Sequence, residues 1–258
     1  MSEGEIVGKL TAGIRSGGVL SAWIGANDSF VAETLAREAF DAVTLDMQHG
    51  GVDFVGGARA NHANAPAGKP TAVRINVGDF ATASRFADAG AAAVIAPMIN
   101  SGDDARRFAA FLKFPPLGKR SWGPRAALSL SGLGGPEYLQ AANRFTLAIA
   151  MIETPEALSA LDEILEVEGI DGVFVGPSDL SITLSNGAKI DPHGEAVNAA
   201  IDRIVAAAKA LGKFVGLWCV DGARAKWALE RGVGFCTVSS DQLLMRAAAK
   251  LELAAARG

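Results

Sequence analysis

Short runs of consecutive hydrophobic residues alternate with longer, alanine-rich amphipathic segments along nearly the whole chain. Most of the runs are continuous rather than alternating, as in parallel strands that are covered on both faces. The predicted strands are Leu20–Ile24, Ala42–Leu45, Thr71–Ile75, Ala92–Ala96, Thr146–Ile152, Gly172–Val175, Phe214–Trp218 and Phe235–Val238. The predicted helices are Ser29–Ala39, Phe80–Ala89, Asp103–Leu112, Pro155–Leu165, Glu195–Leu211, Gly222–Arg231 and Asp241–Ala256.

This order of elements predicts an α/β fold of the (β/α)8, or TIM barrel, class in one domain spanning residues 1–258. A doubly wound sheet is the alternative. That fold usually carries a glycine-rich fingerprint after its first strand, which the turn Gly25-Ala26-Asn27-Asp28 lacks. The closed barrel is therefore the preferred prediction.

Two segments interrupt the alternation of strands and helices. Lys113–Pro136 is a long connection rich in proline and glycine, and Ser185–Gly194 is a shorter polar insertion. Connections as long as the first are usually functional or disordered. We interpret its Gly132–Gly135 stretch as a flexible lid rather than a phosphate-binding loop, because no predicted strand precedes it.

Composition narrows the possible partners. The 258 residues include 24 Lys+Arg against 28 Asp+Glu, and this net charge of -4 gives no electrostatic reason to expect nucleic acid. No apolar stretch is long enough to cross a membrane, and residues 1–5 do not resemble a secretory signal. Cys219 and Cys236 lack metal-site spacing and are expected to be buried thiols. We therefore expect a cytoplasmic protein.

Polar residues that follow the predicted strands are the candidates for chemistry, because barrel enzymes react at the carboxyl ends of their strands. His49 is a candidate base, although it could simply bond a backbone carbonyl. Arg74 is either a structural partner of Asp46 or a clamp on an anionic substrate. Glu153 and Asp179 suit a hard divalent ion, or else each begins a helix.

Lysine positions exclude one mechanism. A Schiff-base aldolase requires a lysine at the reacting end of the barrel. Lys69 and Lys213 precede their strands, and the remaining lysines fall in helices or loops. Covalent catalysis through lysine is therefore not expected.

Six segments, taken together and in this order, resemble the HpcH/HpaI aldolases, which are metal-dependent class II pyruvate aldolases. The resemblance covers nearly the whole chain, and the Glu-Thr and Gly-Pro-Ser-Asp-Leu elements are its most specific parts. The segments are Leu45–Gly50, Val73–Arg74, Ala96–Met98, Phe114–Gly118, Ile152–Thr154 and Val175–Leu180.

The resemblance implies a mechanism and a role for each matching residue. Glu153 and Asp179 would hold Mg²⁺, Mn²⁺ or Co²⁺, and Ser178 would bind a 2-oxo acid through its backbone N–H. Arg74 would neutralise the enolate oxygen, and His49 would act as the base. Asp88 matches the family's acid that raises the basicity of this histidine.

Two positions depart from the family pattern. Gln48 stands where a glutamate often precedes the histidine, and Met151 stands where a glutamine often lies two residues before the metal-binding glutamate. Both changes affect the expected choice of substrate without touching the metal or the arginine. They suggest hydroxypyruvate as a nucleophile beside pyruvate, a hypothesis that fails if no aldehyde supports hydroxypyruvate turnover.

The expected reaction is cleavage or formation of 4-hydroxy-2-oxo acids from pyruvate or hydroxypyruvate and an aldehyde. The alternatives are decarboxylation of oxaloacetate through the same enolate, and a barrel that binds a ligand without turnover. Loss of activity on chelation would exclude the binder, and release of CO2 rather than aldehyde would favour the decarboxylase. The resemblance also implies a homo-oligomer, a hexamer, in which helix 241–256 is either exchanged between subunits or closes the barrel of its own chain.

Overall fold

A computed structural model describes residues 6–258 of the chain, so residues 1–5, on which the expectation about a signal rests, lie outside it. Eight parallel strands close into one barrel in the order of the sequence. This confirms the predicted TIM barrel, and each predicted strand ends within one residue of the observed one. The strands are β1 (Val19–Ile24), β2 (Ala42–Asp46), β3 (Thr71–Arg74), β4 (Ala93–Ala96), β5 (Leu147–Ile152), β6 (Gly172–Val175), β7 (Phe214–Cys219) and β8 (Phe235–Val238).

Helices surround the barrel, and a short 3-10 turn, Ala65–Ala67, precedes β3. Each predicted helix is present, although the one predicted over Pro155–Leu165 is divided at Ala160. The helices are α1 (Val7–Arg15), α2 (Ser29–Ala36), α3 (Phe54–Asn64), α4 (Phe80–Asp88), α5 (Gly102–Leu112), α6 (Arg125–Ser131), α7 (Gly135–Phe145), α8 (Pro155–Ser159), α9 (Leu161–Glu166), α10 (Pro177–Leu184), α11 (Glu195–Ala210), α12 (Gly222–Leu229) and α13 (Asp241–Arg257).

The stretch predicted to be a flexible lid, Gly132–Gly135, joins two helices, α6 and α7, that the sequence analysis did not predict. Gly132 ends α6 in the left-handed conformation at φ 67°, and Gly134 is the residue before α7. Tyr138 is buried among Phe114, Trp122 and Phe145, which fixes α7 against the barrel. The glycines therefore join two packed helices, a role that their spacing alone does not distinguish from a flexible loop.

Successive residues of each strand face alternately the barrel interior and the surrounding helices. Trp23, Met151 and Phe174 belong to the interior core, whereas Val173 and Leu217 belong to the shell between strands and helices. Both sets are buried, so the strands appear as continuous hydrophobic runs in the sequence. The same alternation directs Asp46 and Arg74, paired residues at the ends of β2 and β3, to the interior face.

Helix α13 is exposed along nearly its entire length in a single chain. Among its residues only Asp241 is buried, while Leu251 and Leu253 are 69% and 50% exposed. Exchange of this helix between subunits stays a prediction. No helix within residues 6–258 has both the length and the apolar character needed to cross a membrane, and the cytoplasmic location also stays a prediction.

Both cysteines are buried free thiols, as predicted. Hydrogen bonding to Cys236, followed by burial, raises the pKa of the Cys219 thiol. Since the thiolate is the reactive form, Cys219 is protected from thiol chemistry in the folded protein.

Candidate active site

A cavity of about 290 Å³ opens at the carboxyl ends of the strands. Strand ends, the loops that follow them and the first turns of α10 and α13 supply its walls, as is usual for a reaction site in this fold. The lining residues are Trp23, Gly25, Asp46, His49, Gly50, Arg74, Met151, Phe174, Gly176, Pro177, Ser178, Asp179, Trp218, Ser240, Asp241 and Gln242.

Arg74 is held by a bidentate ion pair with Asp46. Its Nε lies 2.9 Å from Asp46 Oδ1 and its Nη2 lies 2.7 Å from Oδ2, and both residues are buried. The indole of Trp23 donates to Asp46 Oδ2 at 3.3 Å and also lies under the guanidinium. Sequence reasoning treated the ion pair and the substrate clamp as alternatives. The geometry allows both, because only two of the three guanidinium nitrogens contact Asp46.

Asp46 also shapes the loop that carries His49. Its Oδ1 accepts hydrogen bonds from the backbone N–H groups of Gln48 and His49, at 3.1 and 3.3 Å. Gly50 packs closely against both Asp46 and Gly25. A Cβ at this position would lie 2.3 Å from the carbonyl oxygen of Asp46 and 2.8 Å from that of Gly25. One carboxylate thus fixes both Arg74 and the histidine loop, and His49 itself remains exposed to the cavity.

Glu153 lies directly behind this cavity and is 2% exposed. Its Oε1 accepts a hydrogen bond of 2.8 Å from the backbone N–H of Met98, a non-glycine residue with a φ of 55°. Burial raises the pKa of the Glu153 carboxyl to about 7, and the nearby charge of Asp179 adds to this effect. The Met98 N–H and Arg74 oppose it.

Asp179 and Ser178 lie in the first turn of α10, which begins at Pro177 immediately after β6. The first N–H groups of a helix have no acceptor within the helix, so this turn presents hydrogen-bond donors to the cavity. Gly176 joins β6 to the helix, and a Cβ on it would lie 2.5 Å from Glu153 Oε2. The absence of a side chain at Gly176 therefore leaves the space that the Glu153 carboxylate occupies.

The acidic pair fits a divalent cation that takes few protein ligands. No group of three or more His, Cys, Asp or Glu side chains suited to a metal occurs within residues 6–258. Mg²⁺ commonly binds through one or two carboxylates and completes its shell with water and substrate oxygens. The raised pKa of Glu153 next to Asp179 shows two acids whose mutual repulsion and burial a cation would relieve.

Substituting Gly176 by alanine is expected to displace the Glu153 carboxylate and to weaken binding of Mg²⁺ by about 10–100-fold. Isothermal titration calorimetry with MgCl2 measures this effect. Gly222→Ala is the matched control, because a Cβ at that position meets no atom within 4 Å. Equal Mg²⁺ affinity of both variants and the unchanged protein would contradict the proposed metal site.

Asp88 does not join the other predicted residues within one chain. It is the last residue of α4, so it lies at the end of the barrel opposite the cavity. Its Oδ1 accepts hydrogen bonds from Nε and Nη2 of Arg120 at 3.2 and 2.6 Å. A direct contact with His49 of the same chain is therefore excluded, a result that requires the path of α4 and is not evident from sequence order.

The sequence did not predict that Asp46 binds both Arg74 and the loop that carries His49. It also did not predict the part of the cavity wall that is formed by the ends of β7, β8 and β1. Sequence reasoning considered Asp46 as a partner for Arg74, and it gave Trp23 and Trp218 no role. Asp241 was assigned only to a helix, yet its carboxylate is 1% exposed and accepts from the N–H groups of Gly25 and Ala26. A signal existed for the two tryptophans, since each is the last residue but one of a strand that leads to the mouth of the barrel.

The fold and the site together define a barrel enzyme with acidic, basic and guanidinium groups around one small cavity. The chain belongs to the HpcH/HpaI aldolase/citrate lyase family, whose profile matches residues 20–248. The resemblance predicted from the sequence is confirmed, and so is the expected class, a carbon–carbon lyase that acts on 2-oxo acids.

Two curated relatives align over most of the chain. A hydroxypyruvate/pyruvate aldolase from Rhizorhabdus wittichii is 40% identical over 238 residues, which cover 92% of this chain and 94% of the relative. A 4-hydroxy-2-oxo-heptane-1,7-dioate aldolase from Salmonella typhimurium is 35% identical over 223 residues, covering 86% and 84%.

Solved structures share the fold. An HpcH/HpaI aldolase/citrate lyase family protein from Burkholderia cenocepacia superposes with a TM-score of 0.85 at 30% identity, over 96% of this chain and 99% of that one. A citrate lyase beta subunit from M. tuberculosis, complexed with oxaloacetate and magnesium, gives a TM-score of 0.53 at 20% identity, over 89% and 95%. At that identity the second likeness concerns the fold alone.

Proposed function

We propose that this protein is a metal-dependent aldolase that joins pyruvate or hydroxypyruvate to an aldehyde and cleaves the resulting 4-hydroxy-2-oxo acid. The observation that carries the proposal is that Asp179, Arg74 and His49 line one cavity at the barrel mouth, with the buried Glu153 carboxyl close enough to Asp179 and Arg74 for their charges to act on its pKa. The names of the two relatives support the substrate class, and they differ in the acid they describe. The aldehyde is therefore not fixed by membership of the family.

Glu153 and Asp179 would hold the cation, with Mg²⁺, Mn²⁺ and Co²⁺ as the candidates. When bound there, such an ion would act as a Lewis acid and would polarise the carboxylate and ketone groups of the 2-oxo acid. The free N–H groups at the start of α10, including that of Ser178, would bind the substrate carboxylate.

Charge develops on the C2 oxygen when the C3–C4 bond breaks, and Arg74 is placed to stabilise it. Asp46 occupies Nε and Nη2, so the remaining guanidinium nitrogen would donate towards the substrate from a fixed position. A donor that is oriented before the reaction stabilises developing charge without reorganisation. His49 would accept the proton of the C4 hydroxyl during cleavage and return it during aldol addition.

Exchange of the C3 hydrogens of pyruvate tests the proposal without any aldehyde. In D2O the protein with Mg²⁺ is expected to replace these hydrogens by deuterium, and EDTA is expected to stop the exchange. Proton NMR follows the loss of the methyl signal. A rate equal to that without enzyme would exclude the aldolase, whereas metal-dependent exchange would exclude the barrel that only binds a ligand.

Mg²⁺ affinity is expected to rise with pH up to about 7 and then to level off. With a pKa of about 7, Glu153 holds its proton below that pH, and a cation binds only the ionised form. At pH 6 binding should therefore release close to one proton, and the affinity should fall about tenfold for each further pH unit. At pH 8.5 release should be near zero.

Calorimetry in two buffers with different ionisation enthalpies measures the number of protons released. The same number at pH 6 and pH 8.5 would show that Glu153 does not take part in binding the ion.

Asp88 can assist His49 only if the two residues come from different copies of the chain. We keep this pairing as a proposal, together with the expected homo-oligomer. His49→Ala and Asp88→Asn are each expected to be inactive alone, and mixing the two after mild dissociation should restore activity up to about a quarter of wild type. Absence of recovery, with mixed oligomers verified by mass spectrometry, would leave Asp88 only its structural ion pair with Arg120.

A further inference from the structure

The part of the cavity wall that the proposed keto-acid site does not use is formed by the ends of β1, β7 and β8. Trp218, Ser240, Asp241 and Gln242 line it, while Arg74, Ser178 and Asp179 line the part assigned to the keto acid. The aldehyde must lie in the same cavity as the keto acid for its carbonyl carbon to reach C3 of the donor. The unassigned part of the wall is therefore the acceptor subsite of the proposed aldolase, and the inference below rests on that proposed function.

The charge left for the acceptor in this cavity is negative. Asp46 is paired with Arg74 and Asp179 is assigned to the cation, so Asp241 is the remaining carboxylate, and Arg74 is the one arginine or lysine among the described lining residues. Two guanidinium nitrogens of Arg74, Nε and Nη2, already bind Asp46, and the third is assigned to the C2 oxygen of the keto acid. No lysine or arginine of this lining remains to neutralise a second anionic group on the substrate.

The start of α13 could in principle bind an anion, because barrel enzymes often bind phosphate at this position. In this protein the carboxylate of Asp241 occupies the position of such an anion. Its Oδ2 accepts from the N–H groups of Gly25 and Ala26 at 3.1 and 2.8 Å, and its Oδ1 accepts from Gln242 N–H at 2.8 Å. The Leu243 N–H donates to Ser240 Oγ at 3.3 Å. The donors that would bind a phosphate or carboxylate are thus occupied by the chain's own oxygens.

What remains available is neutral. Gln242 is an exposed residue of the cavity lining, Ser240 keeps a hydroxyl hydrogen to donate, and Trp218 offers a half-buried indole. Amide and hydroxyl groups bind hydroxyls without a charge, and an indole face packs against C–H groups. We propose that the acceptor subsite takes an uncharged, hydroxyl-bearing aldehyde and discriminates against aldehydes with a carboxylate or phosphate at the far end.

The test compares matched aldehydes with pyruvate as donor in the Mg²⁺-loaded enzyme. Glyceraldehyde and glyceraldehyde 3-phosphate differ by one phosphate, and propanal lacks the hydroxyls. We expect kcat/KM for glyceraldehyde to exceed that for the phosphate ester by at least tenfold, because like charges oppose each other in the subsite. We also expect it to exceed that for propanal. Equal or higher kcat/KM for the phosphate ester would overturn the inference.

Gln242→Lys places a cation in the same subsite, with Gln242→Met as its uncharged counterpart. The lysine variant should shift the ratio of the two kcat/KM values towards the phosphate ester by at least tenfold, and the methionine variant should reduce the preference over propanal. A ratio that moves in neither variant would show that Gln242 does not face the acceptor. Pyruvate hydrogen exchange in the unchanged enzyme separates the outcomes, since its failure would refute the aldolase itself, whereas exchange with no preference among aldehydes would refute only this inference.

Discussion

Replacing Glu153 by glutamine is expected to lower kcat/KM for aldol cleavage by at least ~10³-fold and to abolish measurable Mg²⁺ binding. The amide oxygen can still accept the Met98 N–H, so the local backbone should keep its shape. The variant loses only the negative charge that a cation requires. Steady-state kinetics over a range of MgCl2 concentrations, together with calorimetry, measure both effects.

Stability separates this result from misfolding. Burial raises the pKa of Glu153 to about 7, so at pH 8 the metal-free protein contains a buried, ionised carboxylate. A neutral side chain removes that cost, and the melting temperature of the metal-free variant should equal or exceed that of the unchanged protein. Glu156→Gln, three residues later and exposed on α8, is the control and should keep full activity. A Glu153→Gln enzyme with more than a tenth of normal kcat/KM would contradict the proposed metal site.

Replacing Arg74 by methionine is expected to lower kcat/KM by about 10²–10³-fold, the usual cost of removing one donor to a developing oxyanion. It should also destabilise the fold by about 3–5 kcal/mol, because Asp46 is left buried without its partner. The single variant therefore combines a catalytic loss with a structural one.

The double variant Arg74→Met with Asp46→Asn separates the two roles of Arg74. Asparagine removes the unpaired charge but keeps an oxygen for the N–H groups of Gln48 and His49. Stability, measured by urea unfolding, should return to within about 1 kcal/mol of the unchanged protein, by analogy with neutral replacements of buried ion pairs. Activity should remain low. Recovery of activity to within tenfold would show that Arg74 serves only as a structural partner of Asp46.

The barrel could be predicted from the sequence because its strands are buried on both faces and therefore appear as continuous hydrophobic runs. The site residues on those strands could be predicted for the same reason. Once a strand end is located, a polar residue at or directly after it lies at the carboxyl end of the barrel, as Asp46, Arg74 and Glu153 do.

Features that depend on packing between distant segments could not be predicted. The helices α6 and α7 lie in a region rich in glycine and proline, and aromatic packing around Tyr138 stabilises them. Asp88 matches a family motif, yet its side chain binds Arg120 at the other end of the barrel. The role of Asp241 depends on two N–H groups more than 200 positions earlier in the chain. Local sequence patterns contain no information about such contacts.

A crystal grown with Mn²⁺ and pyruvate tests the central claim most directly, because anomalous scattering locates the ion independently of the refined protein atoms. We expect one peak at the carboxyl ends of the strands, about 2.0–2.2 Å from a carboxylate oxygen of Glu153 and one of Asp179, with two pyruvate oxygens completing part of the shell. An ion bound elsewhere, or Glu153 and Asp179 directed away from each other with pyruvate held between other residues, would contradict the account.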